Sequence, residues 1–145
     1  MYRDILLPTD GSETTAAAAA HVAELAETFD AKVHVLSVVD TRNRFESPTS
    51  GLSTDIWEKT ERERAEAAIE SAIAELPESV TTERVIRDGV PKTEILNYVN
   101  ENPVDLVVMA THGRTGLEHY LIGSVAEKVV RQCLVPVMTI REEDE

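Results

Sequence analysis

Short runs rich in Val, Ile and Leu alternate along this chain with longer segments whose apolar residues have helical spacing. The runs predict five strands, which are YRDILLP, KVHVLSVV, VTTERVIR, VDLVVMA and VPVMTI. The longer segments predict four helices, over residues 14–29, 55–76, 91–100 and 124–134. A strand followed by a helix, repeated, requires a parallel sheet with right-handed crossovers and helices on both faces. We therefore predict one doubly wound α/β domain with a five-stranded parallel sheet in the order 3-2-1-4-5.

Several local signals refine this prediction. The domain is expected to cover residues 1–141, and the acidic residues 142–145 are expected to form a disordered tail. Strands one and four are almost continuously apolar, which predicts central positions in the sheet. Ser12 is predicted to cap the first helix, and Pro91 fits the first turn of the third. Pro136, at the start of the last strand, is tolerated in an edge strand.

The composition excludes several classes of partner. The chain has 145 residues and a formal net charge of −13, which argues against nucleic acid and anionic membranes. A solvated acidic surface and an adaptation to high salt both fit this charge. No apolar run approaches the roughly 18 residues of a membrane span, and the first apolar stretch is too short for a signal peptide. We therefore expect a cytoplasmic protein, in which the single cysteine, Cys133, is a buried thiol without a disulfide partner.

Three polar segments follow strands at one edge of the predicted sheet. PTDGS follows strand one, VVD ends strand two, and ATHGRTG follows strand four. In open α/β sheets ligands bind beyond the carboxyl ends of the strands, where the strand order reverses. These segments therefore lie where a ligand is expected.

The stretch ATHGRTGLEHYLIGSVAEK, which begins at Ala110, has two interpretations. Its glycines permit close backbone approach, Thr111 and the residues after it add donors, and a helix that begins at Ser124 would attract an anion. These features favour a phosphate site. In the alternative, Ser124 and Glu127 form a capping box, in which each side chain satisfies the other residue's backbone N–H. The stretch would then have a purely structural role.

The sequence lacks the motifs of several other well-known binding sites. No G-x-x-x-x-G-K-[ST] occurs, and no G-x-G-x-x-G follows strand one, which excludes a P-loop and disfavours a dinucleotide fold. No pair of histidines has the spacing of metal ligands, which disfavours a zinc site. His34 alternates with Val33 and Val35 and is expected to face a helix.

Four segments carry a resemblance to a known family. They are ILLPTDGSETTAAAA, HVLSVVD, DGVPKTEIL and VDLVVMATHGRTGLEHYLIGSVAEKVVRQCLVPVMTI. Through them the chain resembles the universal stress protein family over nearly its whole length. The last segment is the most specific, because chance similarity of that length and order is improbable. The resemblance implies a Rossmann-like fold and a role in stress response.

The ATP-binding branch of this family carries the pattern G-2x-G-9x-G-[ST]. This chain keeps the spacing, with Ala110 at the first glycine and Gly113, Gly123 and Ser124 at the other positions. The resemblance implies an adenine pocket on the backbone of strand two and phosphates held by the pattern itself, with Mg²⁺ accompanying ATP. The residues implied to form the site are Pro8 and Thr9 on its floor, Asp10, Val38 and Ala110 around the nucleoside, and Gly113, Gly123, Ser124 and Val125 around the phosphates.

Two of these residues have a second interpretation. The methyl of Ala110 lies where the ribose and first phosphate would approach. It costs little if the backbone φ is negative and roughly 1 kcal/mol or more if φ is positive, so we expect weakened rather than abolished binding. Asp10 is followed by Gly and Ser, which also fits a turn residue. A contact of Asp10 with ribose or a metal makes better chemical sense than one with phosphate, because a carboxylate repels phosphate.

The leading hypothesis is a regulatory protein that binds ATP, or AMP or ADP, and acts as a homodimer. The dimer would form through the last strand, Val135–Ile140, because this apolar strand lies at a sheet edge. One alternative is a dimeric interaction module of the same fold without a nucleotide. A second is a slow ATPase, although the sequence shows no committed catalytic residues. A phospho-acceptor receiver domain is disfavoured, because only Asp10 follows strand one and no lysine follows strand five.

Overall fold

The computed structural model describes residues 1–41, 54–111 and 123–141. Within them the strands are β1 (Asp4–Pro8), β2 (Lys32–Asp40), β3 (Thr82–Gly89), β4 (Leu106–Ala110) and β5 (Val137–Ile140). The helices are α1 (Thr14–Phe29), α2 (Thr54–Ile73), α3 (Pro91–Glu101) and α4 (Ser124–Gln132). All five strands are parallel neighbours in one sheet, in the order β3-β2-β1-β4-β5. The predicted fold class is therefore confirmed, while the expected tail at 142–145 lies outside the described residues.

The two faces of the sheet are covered by different helix pairs. Side chains alternate along a strand, so Ile5 and Leu7 of β1 pack on one face and Leu6 packs on the other. α1 and α2 cover the face of Ile5, and α3 and α4 cover the face of Leu6. β1 and β4 are buried on both faces, as their continuous apolar sequences predicted.

The start of α1 differs from the prediction. Ser12 was expected to cap the helix, but Glu13 is at the N-cap and no side chain makes a capping hydrogen bond. The Ser12 hydroxyl instead lies 2.7 Å from the Thr14 hydroxyl, and the Ser12 carbonyl accepts a hydrogen bond from the N–H of Thr15 at 3.2 Å. Ser12 therefore lies one position before the N-cap, and its side chain belongs to the turn that precedes the helix.

The predicted end of α2 was also displaced. The helix ends at Ile73 rather than at residue 76. After Ile73 the chain tightens, because the N–H groups of Glu75 and Leu76 bond to carbonyls three residues earlier, at 3.1 and 2.9 Å. None of the helices in the described ranges is long and apolar enough to cross a membrane.

The two edges of the sheet differ in charge. β3 carries charged residues at Glu83, Arg84, Arg87 and Asp88 along its length. β5 has the sequence VMTI without a charge, and the prediction that it lies at an edge is confirmed. Charges on an edge strand oppose pairing with another sheet, and β5 lacks this protection.

A buried polar network ties the amino-terminal end of the sheet to α3. His34 on β2 is 3% exposed, with Nδ1 2.6 Å from the Tyr98 hydroxyl and Nε2 2.8 Å from Asp4 Oδ1. The prediction that His34 faces a helix is confirmed. The Tyr98 hydroxyl also donates to Glu83 at 3.3 Å, and Lys32 Nζ lies 2.6 Å from the same carboxylate group. Burial, followed by the nearby Glu83 charge, raises the pKa of Tyr98 from 10.0 to about 12.

We predict that Tyr98→Phe lowers the free energy of unfolding by about 1–3 kcal/mol at pH 7, because His34 Nδ1 loses its buried partner. Since the folded-state pKa of Tyr98 lies above its unfolded value, its stabilisation is complete below pH 10 and is lost as the pH rises towards 12. Urea melts between pH 7 and 12 should therefore show a steeper alkaline loss in the wild type than in the variant. Parallel curves would contradict the buried, protonated phenol.

Candidate functional site

A cavity of about 430 Å³ opens at the carboxyl ends of β1, β2 and β4. β1 is the strand at which the order reverses, because it pairs with β2 on one side and with β4 on the other. The crossovers from these strands leave in opposite directions and separate the loops at this point. The cavity volume lies within the range of small-molecule sites.

Most of the residues implicated by the sequence line this one cavity. Eight of the nine are brought together there, and the ninth, Gly113, lies outside the described residues together with the rest of 112–122. The eight are Pro8, Thr9, Asp10, Val38, Ala110, Gly123, Ser124 and Val125. Pro8 and Gly123, which are 115 positions apart along the chain, thus line the same cavity.

The turn after β1 is built around backbone hydrogen bonds. The N–H of Thr9 donates to the Leu36 carbonyl at 2.8 Å, and Thr9 Oγ1 accepts from the N–H of Gly11 at 3.1 Å. Gly11 has a φ of +81°, a conformation that side chains disfavour, so glycine is needed here. Asp10 Oδ1 accepts from the N–H of Ser12 at 2.9 Å. The carboxylate of Asp10 therefore has the turn role that the sequence allowed and also lines the cavity.

The start of α4 rules out the predicted capping box. Gly123 is the N-cap, Ser124 is the first helical residue, and no described side chain caps the helix. A capping box needs the serine at the N-cap and the glutamate three residues later. Glu127 is instead four residues after the N-cap, and its carboxylate lies 2.7 Å from Arg131 Nη2. The structural alternative for this stretch is therefore wrong in its stated form, and no side chain of the described residues caps the first N–H groups of α4.

The ends of β4 and β5 hold the first turn of α4 against the sheet. The N–H of Thr111 donates to the Ile140 carbonyl at 3.0 Å, and the Thr111 carbonyl accepts from the N–H of Gly123. Ala110 lies within β4, opposite Ile140. Among the described non-glycine residues only Asp30 has a positive φ, so the alanine at 110 carries no backbone strain.

One wall of the cavity comes from α2 and was missed in the sequence. Glu61 and Arg64 line the cavity, with Arg64 Nη1 3.4 Å from Glu61 Oε2. Of the described lining residues, Arg64 is the one with a cationic side chain. An oppositely charged pair three residues apart on a charged helix is typical of a solvated face, so the sequence offered no signal. Further lining residues that were missed are Thr15, Ser37, Pro91, Ile95 and Met109.

The lining separates into apolar and polar regions. Val38 lies near the end of β2, Ile95 lies on α3, and Met109 precedes Ala110 on β4. Together with Val125 they place apolar surface on the α3–α4 side of the cavity. Polar groups at the turn after β1, at Thr111 and at the start of α4 lie on the remaining walls. The cavity can therefore take a ligand with one apolar part and one polar part.

Comparisons with known proteins agree with one another. The family model described as Universal stress protein family matches residues 1–141. A universal stress protein of Methanocaldococcus jannaschii is 36% identical over 149 residues, which cover 98% of this chain and 84% of that protein.

Solved structures of other proteins have the same fold as this chain. The structure of the protein MJ0577, also from Methanocaldococcus jannaschii, is 29% identical with a TM-score of 0.87 and covers 100% of this chain and 99% of its own. A universal stress protein of Archaeoglobus fulgidus in complex with dAMP has a TM-score of 0.70 over 96% of this chain and 98% of its own. At 19% identity the latter shows the shared fold alone. Because the family model spans the whole described fold, this chain belongs to the universal stress protein family.

Proposed function

We propose that this protein binds an adenine nucleotide in the cavity at the carboxyl edge of the sheet and uses it as a regulatory ligand. ATP is the proposed ligand, with ADP and AMP as smaller members of the same class. The observation that carries the proposal is the convergence of Pro8, Thr9, Asp10, Val38, Ala110, Gly123, Ser124 and Val125 on one cavity. The dAMP complex of the Archaeoglobus fulgidus protein is consistent with it, since that protein shares the fold.

The geometry supports a division of the cavity between nucleoside and phosphates. The adenine ring would lie on the apolar side, against Val38, Ile95 and Val125. Asp10, which is exposed at the cavity rim, would accept hydrogen bonds from ribose hydroxyls. The phosphates would lie at the uncapped N-terminus of α4, where backbone N–H groups and the helix dipole favour negative charge.

The charges around the cavity support a need for Mg²⁺ with a triphosphate. Asp10, Asp40 and Glu61 line the cavity, and the cation Arg64 only partly offsets them. No group of three or more described His, Cys, Asp or Glu residues is arranged to hold a metal ion by itself. Mg²⁺ would therefore enter with the triphosphate, whose oxygens supply most of its ligands, and would reduce repulsion from the carboxylates.

We predict that calorimetric titration with ATP and Mg²⁺ gives micromolar binding and that a Gly123→Val, Ser124→Ala double variant loses at least tenfold in affinity. The valine side chain would occupy the space next to the first N–H groups of α4, where the phosphates are proposed to lie. Omitting Mg²⁺ should weaken ATP more than AMP, because AMP brings less charge to the carboxylates.

The matched control is an Ala74→Val, Ser79→Ala double variant, which introduces the same two residue types, valine and alanine, at exposed positions away from the cavity. It should bind like the wild type. Equal affinity in both double variants would mean that the nucleotide binds elsewhere. If the wild type gives no heat of binding with any adenine nucleotide, the proposed function is wrong.

We also propose that the protein acts as a homodimer through the edge strand β5. The strand is uncharged, and beside it Leu134 is 86% exposed and Val130 is 44% exposed. Apolar side chains at an unpaired strand edge are normally covered. The opposite edge, β3, carries four charged residues and does not compete as an interface.

We predict that Met138→Arg converts the dimer to a monomer, because it places a charge in the centre of the proposed contact. Sedimentation velocity measures the mass, and circular dichroism checks that the variant is folded. Thr81→Arg, an added charge at an exposed position just before β3, is the control and should remain dimeric. A folded Met138→Arg dimer would exclude this interface.

A further inference from the structure

A buried histidine outside the candidate site is held between two other titratable side chains. His34 lies on β2 beside Leu6 of β1, on the face of the sheet that α3 and α4 cover. Its Nε2 is 2.8 Å from Asp4 Oδ1, and its Nδ1 is 2.6 Å from the Tyr98 hydroxyl on α3. Asp4, His34 and Tyr98 do not line the cavity, so the proposed nucleotide site makes no use of this cluster.

Hydrogen-bond chemistry limits the proton states of the His34 ring. A neutral imidazole has one N–H donor and one acceptor nitrogen, whereas a protonated ring has two donors. An ionised carboxylate can only accept, so Nε2, which faces Asp4, carries a proton in both states. The proton that His34 gains or loses is therefore the one on Nδ1, the nitrogen that faces Tyr98.

The Tyr98 hydroxyl has one proton and two acceptors within reach. His34 Nδ1 lies at 2.6 Å, and Glu83 Oε2 on β3 lies at 3.3 Å. When Nδ1 is unprotonated, it can accept the hydroxyl proton. When Nδ1 is protonated, it donates to the phenolic oxygen, and the hydroxyl proton has only Glu83 of these two acceptors left. The proton on His34 thus decides which of two strands accepts from Tyr98.

Neither Glu83 nor Tyr98 changes its own charge near neutral pH. Lys32 Nζ is 2.6 Å from Glu83 Oε1, and this hydrogen bond lowers the pKa of the Glu83 carboxyl. Burial raises the pKa of Tyr98 to about 12, so the phenol keeps its proton. Histidine is the side chain that ordinarily exchanges a proton between about pH 5 and 9. In the series from Glu83 through Tyr98 to His34, a proton exchanged in that range is therefore exchanged at His34.

Charged groups surround this series on each element packed against it. The carboxylate of Asp105, which precedes β4, accepts from the backbone N–H of Asp4 at 3.2 Å. The guanidinium of Arg87 on β3 lies 5.0 Å from the centre of the Tyr98 ring. Glu83, whose side chain is 45% exposed, connects the series to solvent. Among the described residues, the titratable and charged groups around His34 are Asp4, Lys32, Glu83, Arg87, Tyr98 and Asp105.

We propose that these side chains form a proton-linked switch, in which a proton on His34 Nδ1 rotates the Tyr98 hydroxyl from β2 towards β3. Without that proton, Tyr98 donates to His34 alone. With it, hydrogen bonds run without a break from Asp4 through His34 and Tyr98 to Glu83, and they join β1, β2, α3 and β3. The switch does not depend on the proposed nucleotide function. Tyr98 lies three residues after Ile95, so the helix that it holds also carries apolar lining of the cavity.

The test follows the ring nitrogens of His34, Tyr98 Cζ and Glu83 Cδ by NMR of the labelled full chain between about pH 5 and 9. In the wild type, Nδ1 should become protonated as the pH falls, while Nε2 stays protonated throughout. Tyr98 Cζ and Glu83 Cδ should shift at the same midpoint, although neither residue ionises in this range. His21 is exposed on α1, and the control variant His21→Gln should leave these coupled shifts unchanged.

Two variants separate the hydrogen bond from the electric field of a charged ring. In Tyr98→Phe the hydroxyl is absent, so the pH-dependent shift of Glu83 Cδ should largely be lost. In Glu83→Gln the amide oxygen still accepts from Tyr98 although the charge is gone, so Tyr98 Cζ should still follow His34. Circular dichroism checks that both variants are folded. Glu83 is half exposed, so Glu83→Gln tests the switch even where Tyr98→Phe does not fold.

Each opposite result would overturn the switch. It is wrong if His34 titrates while Tyr98 Cζ and Glu83 Cδ stay unchanged, or if the His34 ring keeps one proton state over the whole range. An undiminished Glu83 shift in folded Tyr98→Phe would mean that the ring charge acts through space, as would a lost Tyr98 shift in Glu83→Gln. These outcomes leave the proposed nucleotide function untouched, because calorimetry tests that function separately.

Discussion

The position of β1 between β2 and β4 is the constraint on which the rest of the structure depends. Its three central residues, Ile5, Leu6 and Leu7, are fully buried and connect the two helical layers through one strand. Because the chain crosses one way from β1 to β2 and the other way to reach β4, the connections diverge at the carboxyl edge. The cavity is the space that this divergence leaves. The same burial that stabilises the sheet therefore also places the candidate site.

Much of this could be predicted because hydrophobic burial leaves a periodic signal in the sequence. The segments DILLP and LVVMA predicted central strands, since a strand covered on both faces is apolar throughout rather than alternately apolar and polar. The helix termini were less predictable, because a serine near a helix start can serve a cap, a turn or neither. Ser12 was expected to cap a helix, and a cap was one of two interpretations of Ser124, but a glutamate and a glycine are at those N-caps instead.

Only the site residues that directly follow a strand could be predicted from the sequence. The residues after β1 and β4 follow strands directly, so topology places them at the carboxyl edge whatever the details of packing. Arg64 and Glu61 reach the cavity through the packing of α2 on β2, with Ala65, Trp57 and Val39 forming a small cluster beside it. That contact depends on the angle and register of a helix, which residue spacing does not encode. The sequence also could not predict that the Thr111 hydroxyl is unpaired, because this too depends on details of packing.

The two ends of the sheet differ in how their polar groups are satisfied. At the amino end, Asp4, His34, Tyr98 and Glu83 bond in series, and the Asp105 carboxylate accepts from the backbone N–H groups of residues 3 and 4. At the carboxyl end, within the part of the chain that the structure describes, the Thr111 hydroxyl has no hydrogen-bond partner and no side chain caps the start of α4. A saturated network stabilises the fold and leaves no capacity for a ligand. Unsatisfied groups reduce the stability of the folded protein, and in this structure they are gathered where the strand order reverses, at the candidate site.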